Sequence, residues 1–407
     1  MISDFLHETK ARGFLYQATN LEGLSDVLKK QKITGYIGFD ATATSLQVGN
    51  LVMIMWLRLL EKFGHQPLVV LGGATSRIGD PSGKNETRQL LTEEKLNENI
   101  KGISLAFGKF LKNPTILNND NWLANLNYIN FLRDYGRHFS INRMITFDNI
   151  KSRLTNNQSL SFLEFNYTLF QSYDFLELYK KYGCVLQMGG SEQWANIVSG
   201  VDLVKKITGK EVFGLTAPLV TNSDGSKMGK TAKGAVWLNE AMLSAYDYWQ
   251  FWRNTSDKDV LRYLKIFTDL SLEEINKMTS LQGAELNEAK IILADETTKL
   301  AHGSNVLKEI HQSVGKVFNR SAEGSYDNLP SILVKEQDGS ILEDLLVENN
   351  IFASKSEFRR MVAGMGVKIN DTTINDSKML ISKNLLSDGI VKLSIGKKKH
   401  FIIRFNV

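Results

Sequence analysis

The chain reads as an α/β half built on a mainly parallel sheet, then an all-helical stretch, then a small C-terminal α+β module. Three observations predict this. Strand-like and helix-like stretches alternate over the first half, Ala241 to about Gly315 shows only helical spacing, and the last part begins with helices and ends in strand signals. In order, Ile33 to Phe39 reads as a strand, Leu51 to Phe63 as a helix, Leu68 to Gly72 as a buried strand and Thr115 to Asn118 as a short strand. Ser161 to Lys181 reads as a helix, Cys184 to Met188 as a strand, Gln193 to Lys206 as a helix and Leu215 to Val220 as a strand. Sheets of this kind bind ligands beyond the carboxyl ends of their strands. The polar clusters described below fall at those ends or on neighbouring helices.

Composition sets the outer limits. With 407 residues and 43% hydrophobic content, the chain supports two or three domains, each with its own core. A net charge of +5 permits a nucleic-acid partner without demanding one. Cys184 is the single cysteine, which excludes an intrachain disulfide and disfavours a cysteine-based metal site. The N-terminus carries no apolar core of signal length, and no apolar run approaches membrane-spanning length, so the expectation is a cytoplasmic protein with no membrane partner. The expected organisation is an α/β domain at 1–220, a loop linker at 221–244, a helical domain at 245–316, a linker at 317–340 and a C-terminal module at 341–407.

Two segments carry the chemistry. Ser226-Lys227-Met228-Gly229-Lys230-Thr231 places two lysines three apart among small residues, just after a strand-like run. Two mobile ammonium groups suit a polyphosphate, although such a loop is as readily an inert, solvated one. Tyr36 to Asn50 runs from a strand end through a loop to a helix start near Gly49. Helix starts bind phosphates through free N–H groups, and a glycine there lets a flat base approach the backbone. A third stretch, Gly79-Asp80-Pro81-Ser82-Gly83-Lys84, mimics a P-loop but is one residue short between its glycines. It also has Asn85 where a Ser or Thr is required, which argues against a Walker-type site.

Taken together, Tyr36-Ile37-Gly38-Phe39-Asp40-Ala41-Thr42 through Gly49-Asn50 resembles the first signature of the class I aminoacyl-tRNA synthetases, in the form carried by bacterial tyrosyl enzymes. Lys227 to Thr231 resembles their second signature in a Lys-x-Gly-Lys-Thr variant. The resemblance continues through Gly72 to Thr75, Gly79 to Lys84, Tyr167 to Asp174 and Gln187 to Trp194, in the right order over essentially the whole chain.

This resemblance implies that 1–220 is a Rossmann-like catalytic domain with a dimerisation insertion, 221–244 a signature-loop linker, 245–316 a helical anticodon-arm-binding domain and 341–407 an S4-like RNA-binding module, acting on L-tyrosine, ATP and tRNA(Tyr) as a homodimer. Tyr36 and Asp174 are then expected to bind the phenol hydroxyl. Tyr167, Gln171 and Asp80 are expected at the α-ammonium group, with Asn119 and Gln187 supporting the pocket. Lys227 and Lys230 are expected to grip the β- and γ-phosphates, helped by Lys84 and Arg88, and Gln47 and Asn50 to serve the catalytic end. Asp40, Thr42, Gly49, Gly190 and Glu192 are expected around ATP. Mg²⁺ is expected to accompany ATP, with no metal site of the protein's own. Tyr167, Gln171 and Asp174 are spaced four and three apart, so they share one helix face, and such a trio among aromatic neighbours needs polar partners.

Near the C-terminus, Ser354 is expected to cap a helix, with Glu357 completing a capping box and Phe358, Met361 and Val362 forming an apolar stripe. Lys355, Arg359 and Arg360 are expected to face tRNA phosphates. Phe131, Leu132, Tyr135, Phe139, Ile141 and Met144 suit either a dimer interface or intrachain packing. Alternatives at this point are a tryptophanyl enzyme, a non-catalytic RNA-binding relative and a nucleotidylyltransferase of the same superfamily.

The chain departs from the resemblance at Gln47, where the signature has histidine, and at Ile37, where a small or polar residue is expected near the ribose. Glutamine donates a hydrogen bond but stays neutral, and charge-assisted bonds are the stronger ones. Gln47→His is therefore expected to raise the rate of adenylate formation, measured by single-turnover kinetics; an unchanged or lower rate would contradict this.

Overall fold

The structure is a computed structural model that describes residues 2–80, 91–231, 234–283, 285–318, 331–334, 340–386, 390–396 and 399–405. It divides into two compact units, Met1–His302 and Gly303–Val407.

The first unit is organised by a six-stranded sheet: β1 (Gln17–Ala18), β2 (Thr34–Phe39), β3 (Gln66–Leu71), β4 (Thr115–Asn118), β5 (Cys184–Gly190) and β6 (Phe213–Ala217). Its spatial order is β1-β6-β5-β2-β3-β4, and only β1 runs antiparallel to its neighbour. The inner strands are mostly buried and largely apolar because both faces are covered, as parallel strands require. From β2 the chain moves to β3 and β4 on one side, then returns to β5 and β6 on the other. The order reverses between β2 and β5, where Tyr36 lies opposite Gln187, and this reversal opens a crevice at the carboxyl ends of the two strands.

Three helices frame the crevice. Helix α1 (Val48–Lys62) follows β2 and is buried on nearly every side, because the sheet lies on one flank and the helices Glu93–Phe110 and Val260–Phe267 on others. Helices α2 (Tyr167–Tyr182) and α3 (Trp194–Thr208) pack against each other and flank β5. Each ends on a glycine in the left-handed region, Gly183 at φ 60° and Gly209 at φ 69°, where other residues are strained.

The boundaries differ from the sequence reading for physical reasons. The last strand of the sheet closes at Ala217, before Val220, because Pro218 has no N–H for the ladder. The helix expected over Ser161 to Lys181 is two helices, Phe162–Phe165 and α2. At the break, Asn166 turns its side-chain N–H onto the carbonyl of Phe162 at 2.7 Å, a local bond that competes with the helical ladder. Ser161 caps the short helix and Glu164 returns the bond, as in a capping box. Glu164 also pairs with Arg153 at 3.0 Å, and both side chains are buried. The helical stretch of this unit comprises Ala245–Arg253, Val260–Phe267, Leu272–Lys277 and Leu286–His302.

The second unit begins at Gly303 and includes the helix Asn305–Phe318. Its five-stranded sheet has the order Thr372–Thr373, Val367–Ile369, Val391–Ile395, Lys399–Phe405, Ser331–Val334. Ser331–Val334 falls in the segment expected to be a linker. Its side chains alternate, with Ile332 and Val334 buried in the core, and it pairs in parallel with Lys399–Phe405. Helices Leu342–Glu348 and Lys355–Ala363 supply Leu342, Leu346, Phe358 and Val362 to the same core, whereas Met361 is exposed. Ser354 caps the second helix as expected, accepting from the Glu357 N–H, but Glu357 turns its carboxylate to the N–H of Ala353 rather than that of Ser354.

Candidate active site

A cavity of about 590 Å³ fills the crevice between β2 and β5. Its lining brings together Tyr36, Asp80, Asn119, Tyr167, Gln171, Asp174 and Gln187 with Asp40, Thr42, Gly49, Gly190 and Glu192, and it also includes Gln47, Asn50, Lys227 and Lys230. Residues drawn from every part of the first 230 positions thus meet in one place. Lys84 and Arg88 lie outside the described residues.

The floor of the cleft is a buried carboxylate. Asp174, only 4% exposed, projects from α2 and accepts from the Trp122 indole N–H at 2.7 Å and from Asn119 Nδ2 at 3.1 Å. Burial raises its pKa from 3.8 to about 7, against the opposing pull of these two donors. Tyr36, on β2, is buried nearby, and its hydroxyl has no hydrogen-bond partner among the described residues. Burial and then the Asp174 charge raise the Tyr36 pKa well above the usual phenol value, so its hydroxyl keeps its proton and is available as a donor. Gln187, opposite Tyr36 on the adjoining strand, likewise has a buried and unpartnered Oε1. A deep pocket with these groups suits a ligand that carries a hydroxyl at its inner end.

One layer up, Tyr167 at the start of α2 donates its hydroxyl to Asp40 Oδ1 at 3.2 Å, and the Thr75 hydroxyl lies 3.3 Å from the same oxygen. Asn119 joins this layer to the floor, donating to Thr75 Oγ1 at 3.0 Å and accepting from the Ala74 N–H at 2.9 Å. Gly72 must be a glycine here, because a Cβ would lie 2.5 Å from both Asp40 Oδ1 and Thr75 Oγ1. Asp80 accepts from Gln193 Nε2 at 2.6 Å. Carboxylates, amides and a phenol therefore ring the middle of the cleft, a set suited to an ammonium group.

The mouth is formed by the two signature-like segments. Gln47 is the N-cap of α1, and its backbone N–H is taken by Asn50 Oδ1 at 3.0 Å. The Asn50 oxygen is thus committed to holding the helix start, while its amide N–H groups remain as donors. The Val48 N–H reaches the carbonyl of Val236 at 2.9 Å, the Leu238 N–H reaches Leu46, and Gln47 bridges to Trp237. Residues Lys230–Thr231 and Gly234–Ala235 form a hairpin whose base continues into these contacts. Gly229, at φ 80°, packs so closely that a Cβ would lie 3.1 Å from the Gly49 backbone nitrogen. The helix start and the lysine loop abut each other. Lys227 and Lys230 are exposed and have no ion-pair partner among the described residues.

Of the residues expected to face tRNA, Lys355 pairs with Asp344, and Arg359 forms two bonds to Glu343 at 2.8 and 2.9 Å, while Arg360 is exposed. The Lys355–Asp344 pair is partly exposed and of the weak kind, whereas Glu343 is buried and holds Arg359 by two bonds.

Sequence reasoning missed Trp122, Thr75, Gln193 and Asn196. Thr75 and Gln193 lay inside quoted motifs but received no role. Trp122 lies three residues after Asn119, within the short helix Asp120–Leu123, and that spacing is the local hint that the two side chains converge.

The segments that resemble the two class I signatures meet across the switch-point crevice, so fold and site together define a class I tRNA synthetase catalytic domain. A model of the class I tRNA synthetases for tryptophan and tyrosine matches residues 28–319, and a model of the tyrosine–tRNA ligase SYY-like C-terminal domain matches 321–403. The chain is 50% identical over 408 residues to the tyrosine–tRNA ligase of Pelagibacter ubique, covering 98% of each chain. It is also 50% identical over 411 residues to that of Rhodospirillum rubrum, covering 99% of this chain and 98% of the relative. A C-terminally truncated mitochondrial tyrosyl-tRNA synthetase from Aspergillus nidulans superposes with a TM-score of 0.70 at 29% identity, over 77% of this chain and 94% of that one. The chain belongs to the tyrosine–tRNA ligase family.

The raised pKa of Asp174 carries a stability consequence. In the unfolded chain this carboxyl loses its proton near 3.8, in the folded chain near 7. Between those values the unfolded state binds fewer protons, so this group's contribution falls as pH rises through the window and is lost above about 7. Asp174→Asn is expected to gain more thermal stability relative to the parent at pH 8 than at pH 5, read by melting curves. Equal gains at both pH values would contradict the assignment.

Proposed function

We infer that this protein is a tyrosine–tRNA ligase: it activates L-tyrosine with ATP and transfers the tyrosyl group to the 3′-terminal adenosine of tRNA(Tyr). The observation that carries the reading is the buried, unpartnered hydroxyl of Tyr36 beside the Asp174 carboxylate, at the floor of a cleft with lysines at its mouth.

The substrate phenol fits between these groups, accepting from Tyr36 and donating to Asp174. A phenylalanine would leave the buried Tyr36 hydroxyl unpaired, at a cost of about 1–3 kcal/mol, and would withhold a further donor from Asp174. Asp80, Tyr167 and Gln171 take the α-ammonium group, and Asn119 and Gln187 support the pocket. The ammonium and phenol thereby aim the carboxylate toward the mouth.

An oxygen of that carboxylate attacks the α-phosphorus of ATP. The new bond is carboxyl oxygen to α-phosphorus, and the bond from α-phosphorus to the bridging oxygen of the β-phosphate breaks, releasing pyrophosphate. The attacking group is already ionised, so no general base is needed. The protein's task is to position the reactants and stabilise the phosphate charge. Lys227 and Lys230 hold the β- and γ-phosphates, with Lys84 and Arg88 assisting, and the α1 start at Gln47, Gly49 and Asn50 forms the fixed side. Asp40, Thr42, Gly190 and Glu192 serve the nucleotide, and Mg²⁺ enters with ATP as part of that substrate. In the second step a ribose hydroxyl of tRNA attacks the activated carbonyl and AMP leaves. Lys355, Arg359 and Arg360 contact tRNA phosphates, Lys355 by exchanging its Asp344 partner and Arg359 through the guanidinium N–H groups that Glu343 does not take. Such a role belongs in the cytoplasm, with translation.

A homodimer is supported by the exposed apolar side chains Tyr128, Ile129, Ile141, Ile145 and Phe162. Phe131 and Met144, suited by sequence to either use, are buried within the chain. Sedimentation velocity is expected to give a dimer; a monomer at micromolar concentration would remove this part.

ATP–pyrophosphate exchange is expected with tyrosine and not with tryptophan or phenylalanine. Asp174→Ala should weaken tyrosine binding by about tenfold or more, the loss of a charged hydrogen bond. Lys227→Ala and Lys230→Ala should slow adenylate formation by about 100-fold, as for removal of one transition-state donor, with tyrosine affinity retained. Exchange with tryptophan, or an equal fall in tyrosine affinity in the lysine variants, would overturn the respective assignment.

A further inference from the structure

Behind the cleft lies a chain of amides that reaches the lining only through Gln171, Gln193 and Asp80. Asn196, in the first turns of α3, is 1% exposed and is absent from the cavity wall. Its Nδ2 donates to Gln171 Oε1 at 3.0 Å and to Gln193 Oε1 at 3.3 Å. Its Oδ1 accepts from the buried Thr168 hydroxyl at 2.7 Å. Gln193 in turn donates Nε2 to Asp80 Oδ2 at 2.6 Å. The relay joins α2, the turn before α3 and the segment that carries Asp80.

The sense of every amide follows from one end. The Asp80 carboxylate only accepts, so Gln193 must turn its NH₂ toward it and its oxygen away. That oxygen faces Asn196, which must therefore present its own NH₂. The second Asn196 N–H then requires the oxygen of Gln171. Asn196 Oδ1 is left to accept, and the Thr168 hydroxyl supplies the proton. No member of the relay flips without placing two acceptors or two donors face to face, which is costly in a buried site.

We propose that Asn196 is a positioning residue for the ammonium subsite: by fixing the amide sense of Gln171 and of Gln193, it holds Gln171 and Asp80 in the arrangement that receives the amino group of the substrate. The inference rests on the tyrosine-binding reading above and adds a residue that contacts no substrate. One lone pair of Gln171 Oε1 is held by Asn196 and the other remains for a ligand N–H. Without Asn196 the Gln171 amide rotates freely, and Gln193 no longer holds Asp80 in one rotamer.

The test is calorimetric binding of three ligands to the full-length protein: tyrosine, tyramine and 3-(4-hydroxyphenyl)propanoate, which lacks the amine. In Asn196→Ala the Kd for tyrosine and for tyramine is expected to rise about tenfold, while that for the propanoate stays within about twofold, as befits loss of a group serving only the ammonium end. Thr168→Val removes only the hydroxyl that orients Asn196. It keeps side-chain volume and should move the same two ligands in the same direction by a smaller factor. It decides the matter if Asn196→Ala does not fold. Unchanged affinities, or an equal loss for all three ligands, would overturn the proposal. Tyrosine-dependent exchange by the parent protein is scored separately. Selective amine loss in a protein that binds tyrosine but fails to exchange would sustain the relay and sink the catalytic reading, whereas a parent that binds neither amine would sink both.

Discussion

The structure depends above all on a charge-bearing group placed where water does not reach. Asp174 sits at the bottom of the cleft on α2, and its desolvation is only partly offset by the Trp122 and Asn119 donors. Those donors have a cost of their own. Asn119 must stand at the end of β4 and Trp122 just beyond it, so the edge of the sheet, the first turn after it and the middle of α2 are fixed relative to one another. Asn119 also ties to Thr75 and Ala74, and Thr75 to Asp40, so one hydrogen-bonded layer spans the ends of β2, β3 and β4. The sheet order that opens the crevice and the polar layer that lines it are two aspects of the same constraint.

At the opposite end, the cleft is built from backbone. The first-signature helix start and the lysine loop meet through main-chain bonds at Val48, Val236, Leu46 and Leu238, with two glycines in near contact. The lysines join this framework by backbone alone, Lys230 pairing with Ala235 and Lys227 bridging to Thr221, while their side chains are exposed. Gln47, where the resemblance expects histidine, stands at the N-cap of α1, and its backbone N–H is held by Asn50 Oδ1.

Much of this was legible in the chain. The alternation of strands and helices located the sheet, and the resemblance located Tyr36, Asp174 and the lysines, because each lies in a contiguous motif. What was hidden depends on partners far away in sequence. Trp122 looks like any core tryptophan until its indole meets Asp174. Lys355 and Arg359 look like free cations until Glu343 and Asp344 arrive on the preceding helix. Asn196 is an unremarkable residue of an amphipathic helix, and only the fold brings Gln171 to it. Other misses were local and avoidable: Pro218 announced the end of β6, and Asn166 announced the helix break. The strand Ser331–Val334 was read as linker because its alternation spans only four residues.

That short strand also determines where the C-terminal module begins as a physical object. It forms the rim of the five-stranded sheet and covers the outer ladder of Lys399–Phe405. A cut made at residue 341, where helical periodicity resumes, would strip it away and leave a row of unpaired amides and carbonyls beside freshly uncovered aliphatic side chains. An exposed ladder of this type invites pairing with another chain. The portable unit, for fusion or transplantation, therefore starts upstream of Ser331, and a shorter piece would be a self-associating fragment.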